Sequence, residues 1–139
     1  MINPGPHALT EIRPLLCTSG DVELRKVTPA FYGELEKDHP RDGSTLISTH
    51  SFAEPWGMWE MHPEGDEFVY LLSGDTEFVL HDGEKEVGRV RISNPGDYVM
   101  VPKGCWHTAN PNAPTSMLFV TPGDGTLNAA EPGGEPLQY

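Results

Sequence analysis

The chain has 139 residues, with nine basic against twenty-one acidic side chains, a formal net charge of −12, 15 glycines, 14 prolines and two cysteines. That length carries one domain with a real core and is too short for two. The acidic excess repels phosphate backbones and anionic lipid heads and sets aside nucleic acid and membrane surfaces as partners, while the glycine and proline content fits short strands and tight turns rather than long helices.

Residues 1–20, with Pro4, Pro6 and Pro14, have little periodicity and read as an arm that drapes over the remainder or over a neighbouring subunit. The opening "MINPGPHALTEIRP" lacks the charged and then apolar order of a signal peptide, and no apolar run approaches a membrane span, so a cytoplasmic location is expected. Cys17 and Cys105 lie far apart with no C-x-x-C pair, which points to reduced thiols rather than a zinc knuckle or a disulfide framework. Asp21 to Val27 is expected to form a short strand. Thr28 reads as a helix N-cap with Pro29 at the first helical position, so "PAFYGELEK" is expected to be one short helix that ends before Asp38 and Pro40. "HPRDGS" is turn chemistry, and "TLISTHSF" alternates as a strand. His7, His39 and His50 are lone histidines and are read as surface or packed residues, with His50 the nearest of them to a site.

The chemistry concentrates in "WGMWEMHPEGDEFVYLLSG", Trp56 to Gly74. In an extended chain side chains alternate faces, so Met58, Glu60 and His62 share one face and Trp59 and Met61 the other. Pro63, Gly65 and Asp66 turn the chain, and Glu67 opens a second strand closed by Ser73, Gly74 and Asp75. "TEFVLHDGEKEVGRVRI" is a hairpin about Asp82-Gly83, with His81 at its rim in solvent. A second chemical stretch, "GDYVMVPKGCWHTAN", has a turn at Gly96-Asp97, a short strand, a turn at Pro102 to Gly104, and His107 at the start of another strand. "TSMLFV" is the last core strand, followed by a tail of turn residues. Two imidazoles and one carboxylate with open positions suit Fe(II) and similar divalent ions.

These two stretches resemble the signature motifs of the cupin superfamily. His62, Glu67 and Gly74 fall at the second histidine, the glutamate and the glycine of its first motif, and Gly96, Pro102, Gly104 and His107 match its second without a gap. The resemblance implies an all-β fold, a small double-stranded β-helix or jelly-roll barrel. Residues 1–43 would form an N-terminal arm with one short helix, 44–122 the barrel and 123–139 a C-terminal tail of a single domain. It also implies a divalent metal ion held by His62, Glu67 and His107.

The chain departs from the motifs at three places. Glu60 stands where the family has its first histidine, Glu54 replaces a glycine, and Asn110 is displaced by one from the closing asparagine. Glu60 is then a fourth ligand, a general base beside the metal, or a carboxylate turned away from an empty site. With Glu60 as a ligand the set is two imidazoles and two carboxylates, which favours Fe, Mn, Ni or Zn over Cu(I). Tyr98 is expected to line the pocket as a proton donor or substrate clamp, or else to pack. Cys105 reads as a small buried residue, and Trp106 as packing opposite His107.

Three functions remain open: a metal-dependent oxygenase or other oxidoreductase; a metal-dependent isomerase, lyase or hydrolase acting on a sugar or keto acid, with Glu60 moving the proton; and a non-catalytic small-molecule binding or sensor module. With no arginine cluster near the motifs, a neutral or modestly polar small molecule is the expected substrate or ligand. The strand "FVYLLS" is apolar on both faces, so a homodimer is expected with Trp59, Met61, Phe68 or Tyr70 near the contact.

Overall fold

The computed structural model describes residues 1–37 and 43–137. His39 to Asp42, most of the turn expected in "HPRDGS", lie outside the described residues. The fold is an all-β jelly roll: the described residues form nine strands and one short helix in a curled sheet, with every pairing between named strands antiparallel. No described helix is long and apolar enough to cross a membrane.

The first strands are β1 (Ile12–Leu16), β2 (Val22–Lys26) and β3 (Thr45–Phe52), and β1 pairs with both of the others. The region expected to be a loose arm therefore contributes a strand. Its alternation is masked in the sequence because the inward positions are Arg13 and Leu15, and Pro14 sits between them. Pro14 is tolerated because β1 meets β3 only at Leu15 and Leu16, so the missing N–H falls where only β2 is alongside.

Helix α1 (Phe31–Lys37) starts two residues later than the proline suggests. The Thr28 carbonyl accepts the Phe31 N–H at 3.0 Å, while the Thr28 hydroxyl is buried without a partner among the described residues and does not cap. Phe31 and Leu35 lie on one face of the helix and pack on Leu15 and Leu46 as a small core of their own.

β4 (Trp59–Met61) is short; β5 (Glu67–His81) and β8 (Trp106–Pro122) are long; β6 (Glu86–Ile92), β7 (Tyr98–Val101) and β9 (Leu127–Ala129) complete the sheet. The sequence suggested a strand end at Ser73 to Asp75 and two separate strands over 107–120. The chain instead runs through both places, because β5 and β8 pair from Phe68↔Val120 to His81↔Trp106 and absorb the kink as register shifts between Leu71 and Thr76. Gly74 makes that bend: its φ is 103, and a Cβ there would lie 2.4 Å from the Pro114 carbonyl oxygen and 2.6 Å from the Thr115 Cα. Gly74→Ala is thus expected to cost about 2–3 kcal/mol through backbone strain and a clash with main chain. A urea midpoint equal to that of the parent would contradict this account.

The principal core is built from the inward faces of β5, β7 and β8: Val69, Leu71, Phe78, Val99, Val101, Ala109, Met117 and Phe119, together with Ile92 of β6 and Cys105. The expected tail also supplies structure, since β9 pairs with β4 and buries Asn128 and Ala129. Cys17 and Cys105 are both free thiols, and Cys105 is buried as expected.

Candidate metal centre

Backbone register places the four candidate donors. Glu60 on β4 stands directly across from His107 on β8, so the two share a face. His62 follows Glu60 by two residues on the same alternation, just beyond the strand end, where its carbonyl accepts the Gly104 N–H at 2.9 Å and is held by the second motif's turn. Glu67 begins β5 and shares its inward face with Val69 and Leu71. Ligand atoms from Glu60, His62, Glu67 and His107 all lie within 4.8 Å of one another.

The donors are buried, His107 at 0%, Glu67 at 1% and His62 at 3% exposure, with Glu60 keeping 24% of its side chain in solvent. His62 Nε2 is 3.0 Å from Glu60 Oε1 and 3.0 Å from Glu67 Oε2, and His107 Nε2 is 3.5 Å and 3.4 Å from Oε1 of Glu60 and Glu67. Yet both Nε2 atoms and Glu67 Oε1 are buried without a hydrogen-bond partner among the described residues. The atoms converge on a common point more than they bond one another. Orphaned buried acceptors are costly, so this arrangement fits a divalent cation well.

The outer contacts orient the donors. His107 Nδ1 lies 3.4 Å from the Cys105 carbonyl, which fixes its proton there and leaves Nε2 free as a ligand. His62 Nδ1 meets the Thr126 hydroxyl at 2.9 Å, and the Thr121 hydroxyl donates to Glu67 Oε2 at 2.6 Å. Neither threonine was singled out in the sequence; Thr121 lies near the end of β8 and Thr126 just before β9, with no motif spacing to reveal them. Thr121→Val preserves shape and removes the bond to Glu67. It is expected to weaken metal binding about tenfold with the fold intact, and metal titration showing parent affinity would count against the role of Thr121.

Burial disfavours charge on all four groups. For the imidazoles the two adjacent carboxylates outweigh it, so that without metal His62 is pushed up to about 10 and His107 to about 9. For Glu60 and Glu67 burial likewise pushes upward, but contact with His107 and His62 wins and holds both below the usual carboxylate range.

The donors sit in a cavity of about 400 Å³. Its walls are mainly apolar and aromatic, from Leu35, Leu46, Phe52, Trp56, Met58 and Phe119, with Tyr32, Glu36, Ser48, His50, Ser51 and Asn128 among its polar groups. Trp56 lies edge-on to His107 with ring centroids 6.0 Å apart, and also packs on Phe52 and Phe119.

Tyr98 corrects an expectation. It is 58% exposed on the outer face of β7, its ring 5.0 Å from Phe68, and it does not line the cavity. Val99 and Val101 take the inward positions, which turns Tyr98 and Met100 outward. His81 is half-buried rather than in solvent, with its ring 5.7 Å from Trp59 and its Nδ1 accepting the Gly83 N–H.

A cupin domain family profile matches residues 52–121. No curated protein sequence matches the chain significantly. Among solved structures, hydroquinone 1,2-dioxygenase from Sphingomonas sp. TTNP3 with 4-hydroxybenzoate bound aligns with a TM-score of 0.52 and 18% identity, covering 58% of this chain and 60% of that one. A hydroquinone 1,2-dioxygenase in complex with Cd²⁺ and 4-hydroxybenzonitrile aligns with a TM-score of 0.52 and 15% identity, covering 58% of each chain. A cupin superfamily protein from Desulfitobacterium hafniense DCB-2 aligns with 26% identity and a TM-score of 0.46, over 58% of this chain and 68% of that one.

Proposed function

The chain belongs to the cupin domain family, and from that premise we propose that it is a metal-dependent oxidoreductase of the oxygenase type, acting on a small, neutral, largely apolar ring compound. The observation that carries this reading is the convergence of two unpartnered imidazole nitrogens and two carboxylates at an aromatic-lined cavity. His62 and His107 would hold the ion through Nε2 and Glu67 through Oε1, with Glu60 either completing the set or holding a proton beside it. The ion supplies Lewis acidity and, if it is Fe, one-electron chemistry with dioxygen; the donor set also accommodates Mn, Ni or Zn.

The chain's own residues do the remaining work. Trp56, Phe52 and Phe119 exclude water and flank a flat substrate, and Trp56 also steadies the His107 ring. A cavity of about 150 Å³ suffices for benzene, so about 400 Å³ leaves room for a substituted single ring and a second small reactant. The hydroquinone dioxygenases hold ring ligands of that size; the aromatic lining of this cavity, rather than likeness of fold, supports the choice.

The test is oxygen uptake by protein stripped of metal and reloaded with Fe(II), Mn, Ni or Zn, in the presence of simple phenols. Uptake that requires both Fe and a ring compound supports the proposal. Turnover with Zn or Ni in the absence of oxygen would replace it with the isomerase, lyase or hydrolase reading, which the partial exposure of Glu60 favours because a proton-moving carboxylate needs access to substrate. Stoichiometric binding without turnover under any ion would leave a binding module. The outward apolar strip of Phe68, Tyr70, Tyr98 and Met100 supports a homodimer through this face, to be tested by sedimentation.

A further inference from the structure

Helix α1 and strand β3 bring a second polar group to the same cavity. Arg13 is buried at 7% exposure, its guanidinium 4.7 Å from the Phe31 ring centroid and 5.6 Å from that of Tyr32, and no carboxylate pairs with it among the described residues. Its Nη1 donates to the Tyr32 hydroxyl oxygen at 3.3 Å. Donation from the guanidinium polarises the Tyr32 hydroxyl toward giving its own proton to His50 Nε2, 2.8 Å away.

His50 Nε2 is then an acceptor, which puts the imidazole proton on Nδ1. Burial, reinforced by the charge of Arg13, holds the His50 pKa below its ordinary value and keeps the ring neutral at pH 7. The ring is held by stacking on Tyr32 and by an edge contact with Phe119, 5.4 Å between centroids, and it lines the cavity beside Glu60, His62 and Glu67. Nδ1 has no hydrogen-bond partner among the described residues.

We infer that His50, set in one tautomer by Tyr32 and Arg13, is the specificity-determining donor of the cavity and binds an uncharged oxygen acceptor, such as a carbonyl, on the ring compound proposed above. This rests on reading the cavity as a small-molecule site. A carboxylate would need a cation of its own, and the Arg13 guanidinium is already engaged behind Tyr32. A neutral N–H in apolar surroundings selects a neutral acceptor.

The probes are acetophenone and isopropylbenzene, similar in size, the one carrying a carbonyl oxygen where the other carries a methyl group. Their binding is measured by calorimetry or ligand-observed NMR on metal-loaded and metal-stripped protein. The parent is expected to bind acetophenone about tenfold more tightly than isopropylbenzene in both forms, the size of one buried hydrogen bond. His50→Phe keeps a ring in place and is expected to bring that ratio near one, chiefly by weakening acetophenone. Tyr32→Phe frees the tautomer and is expected to reduce the ratio in part. A parent ratio near one, failure to bind either probe, or a ratio unchanged in both variants overturns the inference. Metal content, measured alongside, separates the two readings: loss of preference in a protein that takes up no ion leaves the donor standing and removes the metal, and intact metal uptake with an unchanged ratio does the reverse.

Discussion

Replacing His107 by alanine is expected to abolish stoichiometric metal uptake. The imidazole is fully buried, its proton is fixed by the Cys105 carbonyl, and its Nε2 is one of the orphaned atoms that meet at the site. Losing an outer contact alone costs about 10–100-fold in affinity, and losing the ligand itself should exceed about a hundredfold. The metal-free variant should also be less stable than the metal-free parent by about 3–5 kcal/mol, because Glu60 and Glu67 are left as like charges with one imidazole between them. Elemental analysis and urea denaturation read the two effects separately. Full metal content in His107→Ala would remove β8 from the site and with it the four-donor assignment.

The second large effect is in pH. Without metal, His62 near 10 and His107 near 9 are both protonated at neutrality, so binding a divalent ion must displace about two protons. Apparent affinity should therefore rise about a hundredfold per pH unit between about 6.5 and 8.5, flattening above the two folded-state values. Calorimetry in buffers of different ionisation enthalpy counts the protons directly, and release of none would refute the charged cluster. The metal-free fold should show the same linkage. Raised histidines contribute stability that is fully present below about 6.5, their unfolded value, and is lost as pH climbs through 9 and 10. The depressed carboxylates of Glu60 and Glu67 contribute stability present above their unfolded value and lost as pH falls below it. Metal should rescue the alkaline side.

Much of the site was legible because motif spacing encodes register. Glu60 and His62 on one alternation, Glu67 after a turn and His107 after another are local patterns, and the sheet brings them together. What escaped depends on pairings between distant segments. Thr121 and Thr126 reach Glu67 and His62 from sixty or so residues away, and β9 looked like a tail because three residues of strand carry no periodic signal. Tyr98 was misplaced by parity: the two valines that flank Met100 claim the core, and the tyrosine takes the opposite face. His50 was visible as a strand residue, but its link to Tyr32 across the helix was not. Continuity of β5 through Ser73 to Asp75 was hidden because glycine bends and glycine turns look alike in a sequence.

Strand β4, which carries Glu60 and leads into His62, is paired among the described residues with β8 and β9 alone. On a ribosome adding about 5–20 residues each second, residues 60–67 emerge seconds before the segments that fix them. A nascent chain has no assembled coordination pocket over that interval, and non-local β-pairing is itself slow. An ion held by these donors would be taken up only after β8 and β9 have emerged and paired, and its identity would be set by whichever divalent species is then abundant, with tight-binding competitors held in check by supply rather than by selectivity of the ligands.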